Sequence, residues 1–336
     1  MSRPRVLVLA GDTLFRSFFD APRRRRLGLV GRYTVVPGRG ITPALRRRLA
    51  EADALVTTWD SPRFGEELLR LAPRLRFVAH CGGEVKGRFA RPLFGRLVIA
   101  NAAGPMSPYV AELAVTFLLM SVRSVDEHRA ALRRASNAVY ARIHARGAGR
   151  ETLRGRSVGL LGLGRIGREI ARLLAPFGVR LLGCDPYVSR AAARRMGATL
   201  VSFPRLLRES DDVVVAAALT EETRGILGRA ALARLRDGAT LVNVARGGIV
   251  DLDALAREVK SGRLRCALDV TDPLEPLPAR HPLRRMRGAV LTPHVGSAQL
   301  EVRHAMADVV LEGLERFFAG RPVATRVTAA MLDRMT

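Results

Sequence analysis

Lysine is almost missing from this 336-residue chain: of 56 basic residues, only Lys86 and Lys260 are lysine. Acidic residues number 31, so the net charge is +25. A charge of that size suits a polyanion partner. The arginines, however, are scattered along the whole chain, with short runs at 23–26 and 46–48. No aromatic residues interleave with them as a stacking platform requires. A compositional preference for arginine explains the excess, and no specific nucleic-acid partner is expected.

Cysteine is scarce as well. Cys81, Cys184 and Cys266 lie far apart and form no CxxC pair. That argues against a disulfide framework and against a zinc site, so no metal is expected, and it fits a reducing cytoplasm. Long hydrophobic runs are also absent. The start, "MSRPRVLVLAGD", has too short an apolar run for a signal peptide. The stretch "YVAELAVTFLLMSV" (109–122) is interrupted by Glu112 and reads as too short for a bilayer. These absences lead to the expectation of a soluble cytoplasmic protein with no membrane partner.

What is present is apolar material in a repeating order. Hydrophobic residues make up 48% of the chain, enough for sizeable cores. Short apolar runs at 5–10, 52–58, 75–80 and 96–101 read as strands, with helical patterns at 42–52 and 66–73. A long helix is predicted over 108–134, and 135–154 reads as a connection. The alternation then restarts with strands at 157–162, 179–184, 212–218, 239–245, 265–270 and 288–293. Such alternation predicts two doubly wound α/β domains with parallel sheets. A final helix near 297–319 is expected to return to the first. The expected division is 1–104 with 297–336, and an inserted domain at 105–296.

The segment "SVGLLGLGRIGREIARLLAPFG" (157–178) places Gly162, Gly164 and Gly167 as GxGxxG between a strand and an amphipathic helix. In that context the first glycine permits a tight turn, the second lets backbone approach a pyrophosphate, and the third allows close helix packing. Free N–H groups at the helix start then meet phosphates. Arg165 and Ile166 lie within the same cofactor loop. Asp185, ending the next strand about 20 residues on, is placed to accept the adenosine ribose hydroxyls. It favours NAD over NADP, although Arg190 lies near enough to leave NADP open.

Three polar residues follow later apolar strands: Arg246 after "LVNVA", Glu275 in "TDPLEPLPARHPL", and His294 after "AVLTP". Ligands bind beyond the carboxyl ends of such strands. Reduction of a 2-oxo acid needs a cation for the carboxylate and carbonyl, a proton donor, and a carboxylate to orient that donor. Arg, His and Glu fit these roles. Each also has a plain structural reading. Arg246 could pair with an acid, Glu275 could be solvated with Asp272 in its place, and His294 could cap a helix.

The ordered motifs "GLLGLGRIG" (159–167), "LTEETRGIL" (219–227), "LVNVARGGIVDLDAL" (241–255), "ALDVTDPLEPLPARHPL" (267–283) and "LTPHVGSA" (291–298) resemble those of the D-isomer-specific 2-hydroxyacid dehydrogenases. "FVAHCGGEVKG" (77–87) and "IANAAGPMSPYVAELA" (99–114) match more loosely. The resemblance implies a Rossmann NAD-binding domain inserted into a flavodoxin-like substrate domain. It implies Arg246, Glu275 and His294 as catalytic residues, Asp269 at the nicotinamide end, and Ala245 in the cofactor site. Cys81, Gly82 and Gly83 would offer backbone N–H groups to the substrate carboxylate, beside Arg246.

The implied reaction is hydride transfer between NADH and a small 2-oxo acid, with hydroxypyruvate or glyoxylate first, in a homodimer. Alternatives are an NAD(H)-sensing corepressor of the same fold and a formate- or phosphite-type dehydrogenase. The sequence departs from the family at Ala216 and Ala218, in a "TDPLEP" loop one residue longer than usual, and at "EVKG". There Lys86 is either a substrate-side cation or a solvated loop residue.

Overall fold

The apolar runs become parallel strands because most of them are buried on both faces, where continuous apolar sequence is stable. In this computed structural model, residues 3–38, 40–134, 138–146 and 152–335 are described. Their strands are β1 (Arg5–Leu9), β2 (Arg32–Val36), β3 (Ala54–Thr57), β4 (Phe77–His80), β5 (Val98–Asn101), β6 (Ser157–Leu161), β7 (Arg180–Cys184), β8 (Ala198–Leu200), β9 (Asp212–Val215), β10 (Thr240–Asn243), β11 (Arg265–Leu268), β12 (Ala289–Leu291) and β13 (Arg326–Val327). The chain divides into two compact units. Unit 1 is Met1–Met106 with Ser297–Thr336, and unit 2 is Ser107–Gly296, so the first crossing falls two residues later than the sequence suggested.

Unit 1 has strand order β13-β5-β4-β3-β1-β2, a flavodoxin-like sheet with β13 antiparallel to β5. Unit 2 has order β12-β11-β10-β9-β6-β7-β8, the doubly wound Rossmann order with one further edge strand. The strands β2, β8 and β13 were not foreseen. All three lie near sheet edges, are short or half exposed, and so carry no continuous apolar run.

Alternation along the unit 2 strands separates two cores. Val213 and Val215 face one cluster with Leu241, Cys266 and Leu268, while Val214, Val242 and Ala267 face the other. Asp212, opening β9, is fully buried but bound by Arg156 through Nε–Oδ2 at 2.7 Å and Nη2–Oδ1 at 3.1 Å. A buried carboxylate needs such a partner.

The long helix expected at 108–134 is broken. One helix runs Ser107–Val122; Ser124 has φ 47, and a second helix follows at Val125–Arg134. Arg265 Nη1 fixes the break by donating to Ser121 O at 2.6 Å and Ser124 Oγ at 3.1 Å. Within the expected connection, Ala138–Arg146 is helical; residues 135–137 and 147–151 lie outside the described residues.

With the turn before it, the first helix extends over Gly104–Val122, 19 residues of mean hydropathy 1.3. That is long and apolar enough to cross a membrane, contrary to the length read from sequence. Half of it is buried, and Val110, Ala114, Phe117 and Leu118 pack in a unit 2 core, as a core helix does.

The final helix, Leu300–Phe318, belongs to unit 1 as expected. Its buried face carries Val302, Met306, Val310, Leu311 and Leu314. Part of the arginine run at 23–26 serves this docking. Arg23 binds Asp308, and Arg26 Nε binds Glu315 at 2.6 Å.

Candidate active site

β6 ends in the glycine loop, at the point where strand order reverses between β7 and β9. Gly162 has φ 98, and a Cβ there would overlap the Ala216–Ala217 backbone. Only glycine fits. A Cβ on Gly167 would strike the Gly162 carbonyl, so this glycine brings the helix Arg165–Leu174 against the turn. Gly164 differs: a Cβ there would meet open space. It caps the helix without a side-chain hydrogen bond, leaving N–H groups for an anion. Arg165 is exposed in the first turn, where a cation opposes the helix dipole unless an anion sits beside it. Ile166 packs partly buried against the core. These features fit a dinucleotide pyrophosphate.

Asp185 follows β7. Its Oδ2 accepts the Leu163 N–H at 2.8 Å and its Oδ1 accepts the Tyr187 N–H at 2.9 Å. The acid therefore braces the glycine loop as well as standing at the ribose position, a role that its spacing did not indicate. Each oxygen keeps a further lone pair for a hydroxyl.

At the end of β10, Asn243 is 1% exposed and shapes the next turn. Its Oδ1 accepts from Ala245 N at 3.0 Å, and its Nδ2 donates to Arg246 O at 2.9 Å. Ala245 is buried with its N–H thus occupied. Arg246 is half-buried; Nη1 donates to Ala245 O at 2.8 Å. Asp251 caps the helix Leu252–Lys260 by accepting from Ala254 N.

Beyond β11 and β12 the two remaining motifs meet. His294 Nδ1 is 2.9 Å from Glu275 Oε2. The Glu275 Oε1 accepts from Thr271 N at 3.2 Å. Glu275, rather than Asp272, is therefore the partner of His294, despite the longer loop. Burial pushes the Glu275 carboxyl up, but the bond and charge of His294, the Thr271 N–H and the Arg246 charge outweigh it and hold it below 4.5. Arg246 is thus electrostatically part of the His294–Glu275 pair.

His294 adopts a left-handed backbone, φ 55. A non-glycine residue there costs roughly 1–2 kcal/mol, so surrounding bonds must hold it. Asp269 does so. It is 2% exposed; its carbonyl accepts from His294 N at 2.9 Å. Its carboxylate accepts from Val295 N at 2.8 Å, Gly296 N at 2.9 Å and Thr292 Oγ1 at 2.5 Å. The resemblance put Asp269 at the nicotinamide; in the fold its oxygens hold the turn that presents His294. Asn243 and Thr292 were not singled out from sequence, although both lie inside the quoted motifs.

In unit 1 the loop after β4 departs from expectation. Cys81 N–H already donates to Thr57 O at 2.8 Å and Gly82 N–H to His80 O at 2.9 Å. The first extends the β3–β4 ladder and the second closes a tight turn, so neither is open to a carboxylate. Gly83 N–H alone of the three has no partner among the described residues. The Cys81 thiol is buried and pushed above its ordinary range by that burial. Lys86 is exposed, with its charge felt at Asp333, in keeping with a solvated loop residue. No cysteine is paired and no metal-binding cluster occurs among the described residues.

Comparison with known proteins agrees with this geometry. Residues 115–296 match the family model for the D-isomer specific 2-hydroxyacid dehydrogenase, NAD binding domain. A D-3-phosphoglycerate dehydrogenase of Mycobacterium leprae is 36% identical over 84% of this chain and 53% of its own length. The chain thus spans about half the length of such relatives. A glyoxylate reductase of Korarchaeum cryptofilum is 34% identical over 81% of this chain and 82% of its own length. The solved structure of apo D-mandelate dehydrogenase from Rhodotorula graminis superposes with a TM-score of 0.80 at 26% identity, covering 97% of both chains. The chain belongs to the D-isomer specific 2-hydroxyacid dehydrogenase family, with NAD as the cofactor of its second unit.

Proposed function

We propose that the protein reduces a small 2-oxo acid with NADH and catalyses the reverse oxidation of the D-2-hydroxy acid. The observation that carries this reading is the 2.9 Å bond between His294 Nδ1 and Glu275 Oε2. An imidazole held at Nδ1 by a carboxylate leaves Nε2 to carry a mobile proton. NADH held at the glycine loop of Gly162, Gly164 and Gly167 would supply the hydride. His294 gives the Nε2 proton to the carbonyl oxygen as that oxygen gains charge. Glu275 stabilises the protonated ring before transfer and fixes its orientation. Arg246 holds the substrate carboxylate and polarises the carbonyl; its planar fork suits a carboxylate better than a point charge does. Asp269 and Asn243 keep the two turns in place.

Hydroxypyruvate and glyoxylate are the first substrates to try. The glyoxylate reductase relative supports glyoxylate, and both suit a catalytic set that needs nothing beyond a carboxylate next to a carbonyl. NADH oxidation with a panel of 2-oxo acids tests the proposal. Turnover abolished by His294→Ala is the expected result. Tight NADH binding with no turnover of any 2-oxo acid would refute it in favour of a nucleotide-sensing role.

A further inference from the structure

The segment "HPLRRMRG" (281–288) places three arginines within four residues, directly before β12. Its short helical turn, Pro282–Arg285, is pinned at one point. Leu283 is fully buried, and its N–H donates to His281 Nδ1 at 3.3 Å. The side chains of Arg284, Arg285 and Arg287 stay outside the core and make no hydrogen bond or ion pair among the described residues. With the helix Val125–Arg134 and the end of the helix Ser107–Val122 they line a cavity of about 310 Å³ inside unit 2. That is the size of a small-molecule site. Met120, Ala130, Met286 and Val290 give it an apolar lining.

Arg265 fixes the two walls against each other. Its guanidinium holds Ser121 O and Ser124 Oγ at the helix break and lies 3.8 Å from Glu127. Its stem lies against Gly288, where a Cβ would stand 3.4 Å from Arg265 Cγ, and Cys266 N donates to Gly288 O at 2.8 Å. The cavity is therefore pre-formed. Its charge is unbalanced. Glu127 faces Arg265, and Asp126 Oδ1 binds Arg129 at 3.0 Å, so both carboxylates are answered while the guanidiniums of 284–287 are not. Arginine forks match carboxylates, and low-dielectric walls concentrate the field of the cations. By helical periodicity Glu127, Ala130 and Ala131 face the cavity, whereas the exposed Val125 and Leu132 lie on the opposite side.

We infer that this cavity binds a small di- or tricarboxylate, at a site separate from cofactor and substrate. It lies at the amino end of β12, whereas the ligands of such a sheet bind beyond the carboxyl ends, where His294 follows. Several carboxylates on a short carbon skeleton use the arginines and the apolar lining together. Inorganic phosphate uses the charges alone, and acetate brings one charge to three cations. The inference does not depend on which 2-oxo acid is reduced. Arg46, Arg47 and Arg48, an equally dense exposed run on the helix Pro43–Glu51, provide the comparison within the same chain.

Calorimetric titration of the NADH-saturated protein with citrate, inorganic phosphate and acetate, at fixed ionic strength, tests this. Citrate should occupy one saturable site and bind about tenfold or more tighter than either other anion. Arg284→Gln with Arg287→Gln should weaken citrate about tenfold or more. Arg46→Gln, Arg47→Gln and Arg48→Gln together should leave it within about twofold. Ala130→Phe fills the cavity while keeping every charge and should abolish binding. Arg246→Lys should leave it unaltered. NADH binding, unchanged in all these variants, reports an intact fold. A loss with Arg246→Lys would move citrate to the catalytic site, and an equal loss with the 46–48 variant would reduce it to general attraction to arginine. Either result would overturn the inference. So would the absence of saturable binding, phosphate as the tightest anion, or citrate binding retained by Ala130→Phe.

Discussion

The Thr271 carbonyl occupies the space where a Cβ of Gly247 would stand. That contact brings the turn after Arg246 onto the strand exit that leads to Glu275, whose Oε1 is anchored by Thr271 N. A side chain at 247 would drive the two loops apart. The first glycine of "VARGG" therefore serves the meeting of the two loops.

The His294–Glu275 bond depends on pH through its carboxylate. Glu275 is held below its ordinary value of 4.5, so the paired carboxylate persists on the acid side of neutrality. By linkage, its contribution to stability is full above the unfolded carboxyl value and is lost as pH falls through the lower folded one. Glu275→Gln removes the charge that favours imidazolium. The kcat/KM for reduction should then fall about tenfold or more. Asp272→Asn should leave it unchanged, and a fall with Asp272→Asn alone would reverse the assignment.

Arg246→Lys keeps the charge and loses the fork. We expect kcat/KM to fall about a hundredfold or more while NADH binding, followed by fluorescence titration, changes little. An unaltered kcat/KM would leave Arg246 a structural role only.

NADH should bind more tightly than NADPH, because a 2′-phosphate would face the Asp185 carboxylate. Asp185→Ala should narrow that difference. It should also weaken NADH itself, because the Leu163 N–H of the glycine loop loses its acceptor. Equal affinities in the wild type would contradict the assignment.

Arg156→Ala strips the buried Asp212 of its guanidinium and should cost about 3–5 kcal/mol in chemical denaturation. Arg205→Ala breaks an equally short bond to Glu209 on the surface and should leave the midpoint nearly unchanged. Similar losses for both would refute the distinction.

A homodimer is the expected assembly. Val125 is 44% exposed, Leu132 69% and Tyr140 62%, in the helices that follow the core helix of unit 2. Light scattering across a concentration series should give twice the chain mass; a monomer throughout would exclude it.

The sequence by itself determined the elements that local chemistry dictates. Continuous apolar runs specified the inner strands, because burial on both faces demands them. Glycines 162 and 167 specified the loop, because a Cβ at either position overlaps backbone, whereas at Gly164 it meets open space. Motif order singled out Arg246 and His294 as candidates, and the loop that carries Glu275 and Asp272. Edge strands were not legible, since half-exposed strands lack a continuous apolar signature.

Only the tertiary structure decided the pairings. Glu275 and Asp272 share one loop and similar chemistry, so nothing local separates them; the fold of that loop brings Glu275 to Nδ1. Tertiary contacts alone assign the Asp269 oxygens to the His294 turn and engage the Cys81 and Gly82 N–H groups internally. They alone bring Ala130 and Met286, far apart in the sequence, to one cavity. A hydrogen bond depends on where two chains of atoms end in space, and sequence order does not carry that information.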